Sequence, residues 1–206
     1  MSAAGVVAVV AGAAATLAGL GWLRGWVGGR LRRRADRLSA SGRTVEAAAV
    51  WRRLASAWWA SPATRSGARL NLGLSELERG ALAEAEAWLT TVERPPFSAR
   101  SGIAIAAIRL AQGRHGDAGH VIARLSGDPG ARRFAAELDG VRALWVLRTD
   151  GPVAARALAE RLRGPSSGEL LAAVLWLCGG SEDPPAEATC VRLAWLVPEL
   201  SERAPR

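Results

Sequence analysis

The stretch that decides the fold of this chain runs from Asn71 to Ala85 and reads NLGLSELERGALAEA. Ala, Leu, Arg and Glu, which dominate it, are strong helix formers, and Gly80 interrupts the run. Beyond residue 38 the same composition continues, with Gly and Pro separating apolar-periodic segments of about 10–15 residues. No stretch shows the sustained alternation of β-branched and polar residues that is typical of strands. The sequence therefore predicts an all-α fold.

The Asn71–Ala85 stretch resembles the core of a tetratricopeptide repeat. In that family a Leu-Gly pair marks the first helix, a glycine ends it, and a small residue follows in the second helix. Leu72, Gly73, Gly80 and Ala85 match this pattern. We interpret Gly73 and Ala85 as small because two antiparallel helices cross closely there. Gly80 then provides a turn conformation that a side chain would oppose.

Similar units recur along the chain, and the third of them contains Gly113 and Ala118. The turn glycines are spaced by 38, 33 and 38 residues, near the 34-residue period of the family, and are Gly42, Gly80, Gly113 and Gly151. The resemblance implies a solenoid of helical hairpins over residues 38–165. An irregular helical bundle is the alternative that the same periodicity would support.

The last forty residues match the repeat pattern least well. We expect a C-terminal pair of helices within residues 166–206, one over Glu169–Cys178 and one over Pro185–Leu200. Terminal units of repeat proteins are commonly irregular because they cap the array.

An uncharged stretch of twenty-one residues, Ala3–Leu23, lies near the start of the chain. A helix of that length covers about 31 Å, which matches the hydrocarbon core of a bilayer. Residues 1–23 are therefore predicted to form a transmembrane anchor. Positive charge follows the stretch, whereas a cleaved signal peptide carries it in front. One alternative is a cleaved signal peptide, which would give a secreted or periplasmic helical protein. The other is a buried helix of a soluble protein.

Residues 24–37 form a stem that contains six arginines and one aspartate and runs into the first predicted helix. Positively charged flanks stay in the cytoplasm, so we expect the N-terminus outside and the C-terminal domain inside. All 27 basic residues are arginine, which indicates GC-rich codon usage and hence a bacterium with a GC-rich genome. The predicted span would then lie in the bacterial inner membrane. The predicted membrane-interface residues are Trp22, Arg24, Trp26, Arg30, Arg32, Arg33 and Arg34.

Glycines in and beside the span are regularly spaced. Gly5, Gly12 and Gly19 recur every seven residues, and Gly21 and Gly25 are four apart. Small residues at such spacings let transmembrane helices approach closely. We expect this face to support homo-oligomerisation or contact with a partner's span, although a segment rich in Ala and Gly produces such spacing by chance.

The net charge of +8 at first suggests nucleic-acid binding. Six Arg and one Asp give the stem +5, which leaves +3 for the rest of the chain. Most of the excess therefore lies where it would attract anionic lipid headgroups. Lipid, rather than nucleic acid, is the expected charged partner.

The sequence carries no nucleophile elbow, phosphate loop or paired Cys-x-x-Cys motif. His115 and the histidine five residues later are expected to face solvent at a turn. Glu84 and Glu86, two apart on a helix, point in different directions, so they are expected to lie on the outer face and not to act as an acid–base pair. Cys178 and Cys190 are expected to stay thiols in the cytosol. We therefore expect no enzyme activity, metal or cofactor.

The resemblance implies a concave groove that binds an extended or helical peptide. In some relatives basic and Asn side chains on successive first helices clamp a C-terminal carboxylate. Asn71 and Arg100 occupy matching places here, and Arg32 is a candidate third member. Asp36 stands where the clamp needs an Asn, and its charge would repel a carboxylate.

Trp58 and Trp59 are a second candidate for partner binding. Adjacent residues on a helix point about 100° apart, so one indole can be buried while the other faces out as an interface anchor. Packing of both between the first two units is the alternative. Together, these features predict a membrane-anchored scaffold that recruits a protein partner, with a structural subunit of a larger membrane assembly as the alternative.

Overall fold

The computed structural model describes residues 3–164, 167–181 and 183–203, with side chains from residue 21 onward except those of Ser201 and Arg203. Within these ranges the chain forms α-helices and one 3-10 helix and no strand, which confirms the all-α prediction. The helices are α1 (Ala3–Ala40), α2 (Thr44–Ser56), α3 (Pro62–Glu78), α4 (Leu82–Thr90), α5 (Phe97–Ala111), α6 (His115–Ser126), η1 (Pro129–Phe134), α7 (Ala135–Thr149), α8 (Pro152–Leu162), α9 (Glu169–Leu177), α10 (Glu187–Leu193) and α11 (Glu199–Arg203).

The chain divides into two compact units, residues 1–72 and residues 73–206. Among the residues whose side chains the structure describes, no helix is both long enough and apolar enough to cross a membrane. The predicted anchor covers residues 1–23, and its side chains up to residue 20 lie outside that set.

The first unit is built on the pairing of α1 with α2. On α1, Gly28, Ala35 and Leu38 are buried and Leu31 is half-buried, a spacing of three and four residues that places them on one helix face. On α2 the buried positions are Ala47, Ala48, Trp51, Leu54 and Ala55. Packing thus begins inside the arginine-rich stem, whereas residues 21–26 are exposed all around the helix.

Four helices end in the same glycine turn. At Gly80, where φ is +75°, the glycine N–H donates to Leu77 O at 2.9 Å and the Ala81 N–H donates to Glu76 O at 2.9 Å. This pair of bonds is the Schellman motif, and it needs the left-handed conformation that glycine adopts without steric cost. The same two bonds recur at Gly42, Gly113 and Gly179. Gly151, with φ of +88°, follows α7 in a variant of this turn. There Val146 O accepts hydrogen bonds from the N–H groups of both Asp150 and Gly151.

Small residues recur where the two helices of each hairpin approach each other. Gly73 shows how tight the approach is, because a Cβ added there would lie 2.5 Å from Leu89 Cγ. Alanines take the corresponding places in the hairpins and are 0–2% exposed. On the first helices they are Ala35, Ala106 and Ala143, and on the second helices they are Ala47, Ala85, Ala118 and Ala155. The interpretation of Gly73 and Ala85 as close-crossing positions is confirmed, and so are the turns at Gly80 and Gly113.

In the second unit each helix from α4 to α9 packs against its neighbours in sequence, and α5 and α7 also contact each other, as do α7 and α9. The first helix of the C-terminal pair, α9, ends within one residue of its predicted limit. The second prediction, one helix over Pro185–Leu200, is wrong. The chain there forms α10 and α11 with Pro198 between them, because proline lacks the N–H that a continuing helix needs.

An ion-pair network joins α4 to the α5–α6 hairpin. Glu86 Oε1 accepts from Arg109 Nε at 3.0 Å and Glu86 Oε2 accepts from Arg114 at 2.9 Å; Arg114 also pairs with Asp117 at 2.8 Å. The Glu86 and Arg109 side chains are only 17% and 22% exposed. The expectation that Glu86 lies on the outer face is therefore wrong, whereas Glu84, two residues earlier, is exposed.

We expect Glu86→Gln to lower the free energy of unfolding by about 1–3 kcal/mol, because it leaves the half-buried Arg109 without a carboxylate. Urea unfolding followed by far-UV circular dichroism measures this. Glu84→Gln on the same helix is the matched control and should change stability by less than about 0.5 kcal/mol. Equal effects of the two substitutions would show that the network adds nothing.

Candidate functional site

An apolar cleft of about 400 Å³ lies within the second unit. It is formed by the end of α3, by α5, α7 and the start of α9, and by the C-terminal segment from α10 to Leu196. The lining residues are Leu74, Leu77, Arg100, Ile103, Ala104, Ala107, Ala136, Glu137, Val141, Gly168, Glu169, Leu170, Leu193, Trp195 and Leu196.

The spacing of residues on α5 explains why this helix lines the cleft. Arg100, Ile103, Ala104 and Ala107 follow one another at intervals of three and four, which places them on one face. The other side of α5 packs in the hairpin, where a Cβ at Gly102 would lie 3.1 Å from a methyl carbon of Leu125. Because α5 packs on one side against α6, its opposite face remains for the cleft.

The C-terminal segment closes one side of the cleft. Leu196, Val197 and Leu200 belong to the buried core of the unit. Arg148 on α7 makes two hydrogen bonds to the Glu199 carboxylate, and these bonds raise the pKa of Arg148. Charge-assisted bidentate pairs of this kind are strong and directional, so the segment is held against α7.

Charged side chains stand at the rim of the cleft. Arg192 Nη2 donates to Glu169 Oε2 at 2.6 Å, which satisfies the acid at one edge. Arg100 on α5 and Glu137 on α7 are exposed, and neither has an ion-pair partner among the residues that the structure describes. The cleft thus offers an apolar floor with one unpaired positive and one unpaired negative charge beside it.

Of the residues predicted to bind a partner, Arg100 alone lines the cleft. Asn71 is half-buried on α3 and belongs to the first unit. Arg32, the candidate third member of a carboxylate clamp, has its Nε 3.9 Å from Asp36 Oδ2. The leucines and Trp195 of the cleft were missed in the sequence, because they come from helices far apart in the chain.

Trp58 and Trp59 lie in the turn that follows α2, so the prediction that they are adjacent on a helix is wrong, and the two side chains differ in exposure. Trp58 is 76% exposed, and the Arg24 guanidinium carbon lies 5.0 Å from the centroid of its ring. Trp59 is half-buried, and its ring lies 3.9 Å from where a Cβ on Gly28 would be. One indole therefore faces out and the other faces α1.

All seven predicted membrane-interface residues, Trp22, Arg24, Trp26, Arg30, Arg32, Arg33 and Arg34, are exposed on α1. A Cβ at Gly21 or Gly25 would meet nothing within 4 Å, so this part of α1 is open to close approach. The other glycines of the predicted helix-packing face lie outside the residues whose side chains are described, and are Gly5, Gly12 and Gly19.

Groups that could carry chemistry are scattered. In the described part of the chain no three His, Cys, Asp or Glu side chains come together as a metal site. Both cysteines are free, and burial raises the pKa of the Cys178 thiol, which opposes its ionisation as a nucleophile. His115 is half-buried rather than solvent-facing, and its backbone carbonyl accepts a hydrogen bond from Trp145 Nε1 at 3.0 Å.

The chain matches no protein-family model, no curated protein and no solved structure. The candidate site is therefore defined by its own geometry, an apolar cleft with two charged side chains that have no ion-pair partner in the described part of the chain.

Proposed function

We propose that this chain is a membrane-anchored scaffold that recruits a protein partner to the cytoplasmic face of a bacterial inner membrane. Its hairpins would form a tetratricopeptide-like solenoid, and residues 1–23 would be the single transmembrane helix, with the N-terminus outside. No residue has a catalytic role in this proposal. The observation that carries the proposal is the apolar cleft between the first helices of successive hairpins.

The chemistry of the cleft indicates what it would bind. Its half-buried apolar side chains, among them Leu74, Leu170 and Trp195, suit two or three apolar side chains of a peptide. Arg100 would pair with an acidic group of that peptide, and Glu137 with a basic group. Such a segment would gain affinity from apolar burial and orientation from the two charges.

Membrane attachment would determine where in the cell the partner is bound. A tethered scaffold raises the local concentration of its partner beside other membrane components. The arginines of residues 24–37 would hold the stem at an anionic surface, at about 1 kcal/mol per residue.

Filling the cleft tests the proposal. We expect Ala104→Trp to abolish copurification of the partner from detergent-solubilised membranes, because the new indole occupies the space for the partner's apolar side chains. Ala123→Trp, at an exposed position on α6, is the matched control and should retain the partner. Quantitative mass spectrometry of the two purifications identifies the proteins lost.

A partner retained equally by both variants would refute binding in the cleft. The alternative function is a structural subunit of a larger membrane protein assembly, whose fixed neighbours would cover the groove. Circular dichroism of each purified variant establishes that the helical content is unchanged.

A further inference from the structure

Three large aromatic side chains are exposed in the first unit. Trp22 is 71% exposed and Trp26 is 45% exposed, and both lie on the part of α1 that precedes its contact with α2. Trp58, at 76%, lies in the turn of residues 57–61 that follows α2. Tryptophans are usually well buried, so three exposed indoles in one small unit indicate a surface that contacts something apolar.

Trp58 lies beside α1 although 34 residues separate it from Arg24. The Arg24 guanidinium carbon is 5.0 Å from the Trp58 ring centroid, within cation–π range. The next turn of α1 meets the same region, because a Cβ at Gly28 would lie 3.8 Å from Thr64 and 3.9 Å from Trp59. The 57–61 turn is therefore level with residues 24–28 of α1, next to the predicted end of the membrane span.

The charge around these indoles is positive. Arg30 stacks over Trp26, with 4.7 Å between the guanidinium carbon and the ring centroid. Asp36 is the only acid among residues 21–40, against six arginines. On α2 the only acid is Glu46, which Arg43 binds at 2.6 Å. The net charge of this region is therefore positive, so it attracts an anionic surface and repels basic partners.

We propose that the 57–61 turn is a second membrane contact, in which Trp58 inserts among anionic phospholipid headgroups beside the transmembrane helix. Arg24 points about 160° away from Trp22 and Trp26 around α1, so Trp58, Trp22, Trp26, Arg24 and Arg30 form an aromatic–arginine belt around the helix rather than a patch on one face. We place this belt at the lipid interface. Indoles prefer this depth because the ring is apolar and its N–H stays hydrated, and arginines bind the lipid phosphates. This inference rests on the proposed membrane anchor.

The contact would determine how the first hairpin sits on the bilayer. With α1 alone attached, the hairpin could tilt about the end of the span. With Trp58 also attached, α1 and the 57–61 turn are two points on the same surface, which restrains the hairpin against tilting. Trp58 is thereby assigned to lipid rather than to the recruited protein.

The test uses the full chain in nanodiscs of phosphatidylethanolamine and phosphatidylglycerol that contain a headgroup-nitroxide lipid. Cys178 and Cys190 are replaced by alanine, and one new cysteine carries an environment-sensitive NBD fluorophore. Ser56→Cys, at the exposed end of α2, reports on the turn. Val45→Cys, 80% exposed at the other end of α2, is the control and lies about 16 Å away along the helix.

We expect the label at position 56 to emit at shorter wavelength than the label at position 45 and to lose most of its fluorescence to the nitroxide lipid. The position 45 label should be quenched severalfold less. Adding Trp58→Ala to the Ser56→Cys chain should return its quenching to the level at position 45.

Equal quenching at positions 56 and 45 in a chain that is embedded in the nanodisc would overturn the lipid contact and leave the anchor intact. Quenching at position 56 that survives Trp58→Ala would refute the role of the indole. A protein partner as the occupant would leave both labels unquenched in nanodiscs that contain this chain alone. A chain that fails to incorporate into nanodiscs at all would refute the anchor and this contact together.

Discussion

Replacing Trp51 with alanine should lower the free energy of unfolding of the first unit by about 3–5 kcal/mol. Trp51 is 3% exposed on α2, on the helix that pairs with α1. Truncation to alanine removes the large indole side chain and leaves a cavity that the paired helices α1 and α2 cannot close. Domains are stable by only about 5–15 kcal/mol, so the substitution should consume a large part of that margin.

Hydrogen exchange of the full chain in detergent micelles measures this effect in the unit concerned, since amides of α1 and α2 report on it directly. Trp58→Ala is the matched control, because it removes the same side chain from a position that is 76% exposed. It should cost less than about 1 kcal/mol, the value of one exposed cation–π contact. Similar losses for the two tryptophans would contradict the packing of α2 described above.

Replacing Gly73 with alanine should destabilise the second unit by about 1–3 kcal/mol, although alanine is the better helix former. The added Cβ would lie 2.5 Å from Leu89 Cγ, 2.7 Å from Leu89 Cδ2 and 3.3 Å from Ala85 O. Leu89 is 1% exposed, so its side chain cannot move aside into solvent. Thermal unfolding followed by circular dichroism measures the loss of stability as a decrease in the unfolding temperature.

Gly116→Ala provides the matched control for the Gly73 substitution. Gly116 is an exposed helical glycine with nothing within 4 Å of an added Cβ, so its substitution should stabilise by up to about 1 kcal/mol. In a double-mutant cycle, Gly73→Ala should cost much less once Leu89 has been changed to alanine, because the two closest atoms are gone and only the 3.3 Å contact with Ala85 O remains. A Gly73→Ala penalty that persists in the Leu89→Ala background would point to a cause other than this crossing.

The features that were predictable from sequence are the local ones. A turn such as that at Gly80 depends on hydrogen bonds five residues apart or fewer and on one backbone conformation, so its glycine is visible in the sequence. The small residues at Gly73 and Ala85 were recognisable because a hairpin places them at a fixed spacing around that turn. Helix type and hairpin register follow from the same short-range rules.

The features that were missed depend on long-range proximity. Glu86 looked like an outer-face acid because its partner Arg109 is 23 residues away. The contact between Trp58 and Arg24 could not be predicted either, because the two residues are 34 positions apart in the chain. The residues that line the cleft lie between positions 74 and 196. The periodicity of a single helix cannot predict that residues so far apart in the chain come together.

The glycine turns also bear on how the chain acquires its structure during synthesis. The turn at Gly80 lies inside a hairpin whose crossing residues, Gly73 and Leu89, are only 16 positions apart. Chains dominated by contacts of such short separation fold quickly, since little loop entropy is lost before the contacts form. Each hairpin should therefore close within a short time of leaving the ribosome, starting with α1–α2. The first unit would then be structured while the C-terminal residues that line the cleft are still being translated.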